Sequence, residues 1–257
     1  MAESPYTPRL KRDQATLHIA MEPTHSNPNR STPPKNLGLL KLIRAKREWT
    51  WRPSLEELKR GFRGWHQRGH LPHFDAPGVM QFVTFVLADV FPAARRVEWE
   101  PLLKEAHGSA KRRQLEQWLD CSRGACWLRQ PNVAELVEQI LLEADGHDYR
   151  LLAWAIMPNH VHLLVSVWDV PLVPLINLWK GKSAREANKL LNRSGRFWFP
   201  DYFDTLVRDE EHCGKAIRYT EQNPVRAFLV QTARDWPFSS ARRRDEYERL
   251  PWQREGT

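Results

Sequence analysis

The chain predicts an α+β fold: an antiparallel sheet with helices packed on it. Three observations predict this. Runs rich in β-branched and aromatic residues alternate with amphipathic stretches in the order strand, helix, strand, strand, helix, strand, helix. Two strand runs, "YRLLAWAIM" and "HVHLLVSVW", are separated only by the turn signal Pro158-Asn159, which makes them a hairpin. Hydrophobic residues make up 41% of 257 positions, with 12 Trp and 10 Phe, enough to bury a sizeable core.

Taken in order, residues 1–36 carry six prolines among Ser, Thr and Asn, a composition that buries too little apolar surface to order itself. A disordered Pro-rich basic arm is expected there. A basic linker with a short helix spans 37–70, and Ser54 and Glu57 form a capping box in "SLEELKRGF". The folded domain spans 71–245 and a C-terminal tail 246–257. Its core starts with the strand in "GVMQFVTFVLADV", Gly78 to Val90. "VEWEPLLKEAHGSAKRRQLEQWLDCSRG" reads as one or two helices. "NVAELVEQILLEA" has a helical apolar stripe at Val133, Leu136, Val137, Ile140 and Leu141, opened by Asn132 as a cap.

After the hairpin, "LVPLINLWKGKSAREANKLLN" is a long amphipathic helix with Lys180, Lys182 and Arg185 on or beside its polar side. "RFWFPDYFDTLVR" reads as an edge strand or extended loop. "DEEHCGKAIRYTEQN" is the last helix: its acidic first turn complements the helix dipole and Pro224 blocks its continuation. "DWPFSS" reads as a packed element with Trp236 and Phe238 in the core.

The net charge of +8 is unevenly placed. Residues 1–70 hold fourteen Lys and Arg against six Asp and Glu, while the remainder balances. A basic arm on a neutral body is an electrostatic footprint for a polyanion, or else a solubilising tail. No apolar run approaches the roughly 20 residues of a membrane helix, and "MAESPYTPRLKRDQ" lacks the apolar stretch of a signal peptide. Cys121, Cys126 and Cys213 lie at no metal-ligand spacing, so reduced thiols in a cytoplasm are expected.

Within "MPNHVHLLV", His160 and His162 stand at i and i+2 of a strand and share one face. Two neutral imidazoles so placed suit one divalent ion at an open site. The spacing alone favours the plainer reading of two partly exposed or hydrogen-bonded strand histidines. Tyr219 and Asn223 are four apart on the last helix, so a hydroxyl and an amide share a face. Each has a plainer fate, Tyr219 as a core aromatic and Asn223 as a helix C-cap. Lys215, one turn before Tyr219, could favour its phenolate or simply face solvent.

Five stretches together resemble the REP-associated tyrosine transposases, bacterial relatives of the single-strand insertion-sequence transposases in the HUH superfamily. They are "GHLPHFDAPGVMQFVTF", "LLAWAIMPNHVHLLVSV", "FWFPDYFDTLVRDEEH", "IRYTEQNPVRAFLV" and "DWPFSSARR", in the family's order over most of residues 69–243. The resemblance implies a ferredoxin-like antiparallel sheet (the HUH endonuclease/transposase fold), making 71–245 the catalytic domain. It implies a divalent metal, Mg²⁺ or Mn²⁺, on His160, His162 and Asn223, and Tyr219 as nucleophile. Two positions depart from the family pattern: Thr220 replaces the usual Ile, and Phe228 replaces the usual Gly, which can shift the turn after the helix. Tyr202 is set aside because it has no partner four residues on.

The implied chemistry is single-stranded DNA nicking and strand transfer beside REP hairpins through a 5′-phosphotyrosine. The implied partner is single-stranded or hairpin DNA of the cytoplasmic nucleoid, bound by a monomer, as in the REP-associated branch, or by a dimer, as in the insertion-sequence relatives. Candidate DNA-contacting residues are Trp179, Lys180, Lys182, Arg185, Arg242, Arg243 and Arg244, the aromatic for stacking and the cations for phosphates. Two alternatives remain: a REP-hairpin binder without turnover, and a metal-dependent hydrolase without a covalent step.

Overall fold

Residues 52–68, 71–104 and 109–244 are described by a computed structural model. The arm at 1–36, residues 37–51 of the linker and the tail at 246–257 lie outside the described residues. Four strands form one sheet: β3 (Met80–Val86), β4 (Tyr149–Ile156), β5 (His160–Val167) and β6 (Phe203–Leu206). Their spatial order is β4-β5-β3-β6 and every neighbouring pair is antiparallel.

The path from β3 to β4 runs through α2 (Arg96–Lys104), α3 (Ser109–Asp120) and α4 (Pro131–Leu142). That from β5 to β6 runs through α5 (Leu172–Leu190), and α6 (Glu210–Arg226) follows β6. Each crossover joins strands that run parallel with one strand between them, the split βαβ arrangement of a ferredoxin-like sheet.

Every residue of β3 and β5 is buried, so these strands carry apolar residues in runs instead of alternating with polar ones. On one face Val83, Phe85, Val161, Leu163 and Val165 pack with α4 and α5 through Val137, Leu141, Leu175 and Trp179. On the other, Met80, Phe82 and Leu164 meet Cys213, Ala216 and Ile217 of α6. His160 and His162 share the parity of Leu164 and so face α6. Trp236 is buried and its indole N–H donates to the Ile156 carbonyl, while Phe238 packs partly buried against the core.

The capping box opens α1 (Leu55–Arg60) as expected, with Glu57 N–H donating to Ser54 Oγ and Ser54 N–H to Glu57 Oε2. Three local expectations are corrected. The β-structure begins before Gly78, in a hairpin of β1 (Gly64–Arg68) and β2 (Leu71–Asp75). α4 starts at Pro131, whose missing N–H costs nothing at the first helical position; Asn132 accepts only from its neighbour Val133. α6 continues through Pro224 to Arg226, because a proline near the helix end forfeits few hydrogen bonds.

Hydrophobic periodicity missed the hairpin because charge and polarity tie it to the sheet. His73 Nδ1 and Asp204 Oδ1 are 2.5 Å apart, and Gln81 Nε2 donates to the Phe74 carbonyl (2.6 Å) and to Asp204 Oδ2 (3.0 Å). Burial disfavours charge on His73, but hydrogen bonds and attraction from Asp201 and Asp204 outweigh it and raise its pKa to about 9. A folded pKa above the unfolded 6.5 contributes stability that is complete below pH 6.5 and lost as pH rises through 9. Urea midpoints are therefore expected to fall between pH 6.5 and 9 in the wild type, and to fall less in His73→Gln. Parallel slopes for the two proteins would contradict the assignment.

Candidate functional site

β5 brings His160 and His162 side by side on the α6 face, both almost wholly buried. Their rings stand at 77° with centroids 4.6 Å apart, and the two Nε2 atoms are 3.0 Å apart. Each Nδ1 is held from behind. His160 Nδ1 lies 2.7 Å from Asn159 Oδ1, and His162 Nδ1 lies 2.8 Å from Thr84 Oγ1. Thr84 is there because β3 pairs with β5 in the register Thr84↔His162.

Asn159 fixes the tautomer of His160. Its Nδ2 donates to the carbonyls of Leu119 (3.2 Å) and Arg123 (3.0 Å), so its Oδ1 is the atom facing the imidazole. An acceptor there requires the proton on His160 Nδ1, leaving Nε2 with a bare lone pair. Complete burial depresses the His160 pKa to about 3, so the ring is neutral at physiological pH.

Asn223, on α6, is fully buried with Nδ2 3.1 Å from His162 Nε2, while its Oδ1 meets no hydrogen-bond partner. Half a turn of the amide exchanges these atoms and puts the orphaned oxygen where the imidazole nitrogens converge. Among the described residues no group of three or more His, Cys, Asp and Glu could hold a metal ion. The third group at the histidine pair is instead an amide. Two imidazole nitrogens with supported Nδ1 atoms and an unsatisfied carbonyl oxygen form a donor set that fits a divalent cation.

Tyr219 lies one turn before Asn223 on the same face of α6. Its ring centroid is 5.7 Å from that of His162 and 5.5 Å from that of Phe82, edge-on to both. The Arg226 guanidinium covers the ring at 4.7 Å from its centroid. The buried hydroxyl makes no hydrogen bond of normal geometry. Burial and the Glu116 and Asp120 carboxylates push the phenol pKa above its ordinary value, against the opposing charge of Arg226. Burial also raises the Asp120 carboxyl to about 6.

The predicted residues separate into two groups. His160, His162, Tyr219 and Asn223 come together; Asn223 is an interior residue of α6, whose C-cap is Ala227. The proposed DNA-contacting residues of α5 lie with the helix on the opposite face of the sheet. Trp179 is corrected: it is 1% exposed, its indole N–H donates to Tyr149 Oη, and it offers no free face for stacking. Lys180 donates to the carbonyls of Phe199, Pro200 and Asp201, Lys182 pairs with Glu143 and Arg185 with Glu186. Arg243 pairs with Glu138 and Arg244 with Glu221, whereas Arg242 has an exposed side chain.

Lys215 is exposed and paired with Glu211. Tyr202 is buried and stacked on His73 in the core shared with α4 and α5. Sequence reasoning missed Thr84, Glu116, Asp120 and Arg226, and saw Asn159 only as a turn residue. Only the "MPNHVH" motif itself, with Asn beside the first His, carried a signal for one of them.

The Phe228 departure has a defined outcome. Phe228 N–H donates to the Val225 carbonyl and Leu229 N–H to the Pro224 carbonyl, closing α6 in a Schellman turn. Phe228 occupies its left-handed position at φ 56°, where glycine is favoured, and its ring is 94% exposed. Such a conformation costs a non-glycine residue about 1 kcal/mol or more. The turn is kept and the strain is absorbed locally.

Comparison with known proteins places this geometry in context. Residues 122–223 match the family model described as "Transposase IS200 like". A protein of Haemophilus influenzae, provisionally named a REP-associated tyrosine transposase, is 24% identical over 118 residues, covering 42% of this chain and 67% of that protein. The REP-associated tyrosine transposase of Escherichia coli is 26% identical over 99 residues, covering 37% of this chain and 56% of its own length. A solved structure of a REP-associated tyrosine transposase bound to a REP hairpin aligns at 14% identity with a TM-score of 0.47, over 74% of this chain and 93% of the other.

Proposed function

From its resemblance to the REP-associated tyrosine transposases, we propose that this chain is a metal-dependent single-strand DNA nickase and strand transferase with Tyr219 as nucleophile. One observation carries the reading: α6 seats the phenol of Tyr219 beside the histidine pair, with Asn223 and Arg226 on the same helix face. When bound, a divalent ion (Mg²⁺ or Mn²⁺) held by His160 Nε2, His162 Nε2 and Asn223 Oδ1 supplies Lewis-acid stabilisation of a phosphate's non-bridging oxygens.

The protein's own residues supply the rest. Asn159 and Thr84 hold the imidazoles oriented, and burial keeps His160 neutral. The Glu116 carboxylate, whose proximity favours the protonated phenol, is placed to accept its proton. Arg226 offsets the negative charge that develops on the phenol oxygen and on the approaching phosphate. The phenol oxygen bonds to phosphorus, the bond to the 3′ oxygen breaks, and that oxygen leaves with a proton as a 3′-hydroxyl. The phosphotyrosine ester conserves the bond for attack by another 3′-hydroxyl. The basic arm at 1–36 is assigned to non-specific phosphate contacts.

The test is a labelled REP-hairpin oligonucleotide with a single-stranded flank, incubated with protein and Mg²⁺ or Mn²⁺ and run on a denaturing gel. A covalent adduct is expected. A mobility shift without adduct or cleavage would instead identify a binder, and cleavage without adduct a hydrolase.

A further inference from the structure

We infer that Phe228 is a stacking platform for an unpaired base of the DNA strand at the Tyr219 site. The inference rests on the proposed function and deepens it by naming a base contact. A phenyl ring 94% exposed gains nothing from folding, and its left-handed backbone is strained for any residue with a Cβ. Both features disfavour phenylalanine in the free protein, so a benefit to the folded chain has to come from something the ring touches.

Position selects the occupant. Phe228 lies just past the end of the helix that carries Tyr219, Asn223 and Arg226, a helix whose last residue is about 10 Å along the axis from the tyrosine at 1.5 Å per residue. Arg226, exposed and two residues away, already lies over the tyrosine ring. The 3-10 turn Ala233–Asp235, packed against α6, adds the exposed Arg234. Exposed arginines on this helix and on the turn packed against it, together with an exposed ring at the helix end, suit a polyanion with aromatic bases, since every base has a face to stack, whereas an apolar protein partner calls for a contiguous apolar patch. The Schellman turn fixes the backbone on which the ring stands, so little ordering entropy is lost when a base stacks.

The experiment uses the full chain and the REP-hairpin oligonucleotide, with 2-aminopurine placed in turn at each position of the unpaired flank. One position is expected to change fluorescence on binding. Phe228→Gly should erase that change and weaken binding about 5- to 150-fold, the range expected for one base–aromatic stack. Phe228→Trp should restore both. Phe228→Gly should at the same time raise the thermal midpoint, because glycine relieves the strained φ.

Weaker binding from a more stable protein excludes a merely structural role. Equal DNA affinity in wild type and Phe228→Gly, with adduct formation intact, would overturn the stacking role alone. Failure of the wild type to bind DNA would overturn the functional reading as well. A concentration-dependent dimer in sedimentation that Phe228→Gly dissolves, at unchanged DNA affinity, would assign the ring to a second copy of this chain instead.

Discussion

Replacing Tyr219 with Phe is expected to abolish the covalent DNA adduct, with nicking reduced at least about 10⁴-fold, as for other enzymes stripped of their nucleophile. The fold should not suffer. The buried hydroxyl has no well-formed hydrogen bond to lose, only the proximity of the Glu116 carboxylate, so its removal is close to neutral. The ring, which carries the contacts to His162, Phe82 and Arg226, is retained. Adduct yield on a denaturing gel and the thermal midpoint should therefore diverge, the first lost and the second nearly unchanged. Tyr202→Phe, altered in the other core layer, should still form adduct. Adduct persisting in Tyr219→Phe would end the assignment.

Replacing Asn159 with Leu should reach both stability and the site. This fully buried amide donates twice, to the Leu119 and Arg123 carbonyls, and accepts from His160. Leucine leaves the His160 imidazole N–H without an acceptor and takes the amide donor from the Arg123 carbonyl, at about 1–3 kcal/mol each before relaxation, while the Leu119 carbonyl keeps its bond from Ser122 N–H. A loss of about 3 kcal/mol in urea unfolding is a reasonable expectation. The segment after α3 should loosen, since Asn159 holds it from one side and Asp89 from the other, through a bond to Ala125 N–H. Gly124 lies in that segment at φ 86°, where a Cβ would meet the Asp89 carboxylate at 2.8 Å. Freed from Asn159, His160 can also place its proton on Nε2, and Mn²⁺ affinity by calorimetry should drop about 10- to 100-fold. Unchanged Mn²⁺ affinity in a destabilised variant would show that the amide serves the fold alone.

Much of this was legible in the chain itself. Hydrophobic runs and turn residues marked the four sheet strands and the long helices, because burying a strand or a helix face leaves a periodic imprint. The i, i+2 spacing of His160 and His162 and the i, i+4 spacing of Tyr219 and Asn223 put each pair on one face through local geometry. The β1–β2 hairpin left no such imprint, since the His73–Asp204 pair and Gln81 anchor it from distant parts of the chain. Trp179 shows the limit of helical patterning: its neighbour Lys180 suggested a surface, but an adjacent residue on a helix points about 100° away.

The sequence by itself determined which side chains share a face, since that depends only on the repeat of the backbone. Tertiary structure alone decided which faces meet. It set Thr84 opposite His162, carried the helix of Tyr219 over the histidines, and sent the cations of α5 to the far side of the sheet. The physical reason is that strand register and layer packing are fixed by the burial of many residues far apart in the chain, and no short stretch of sequence contains them.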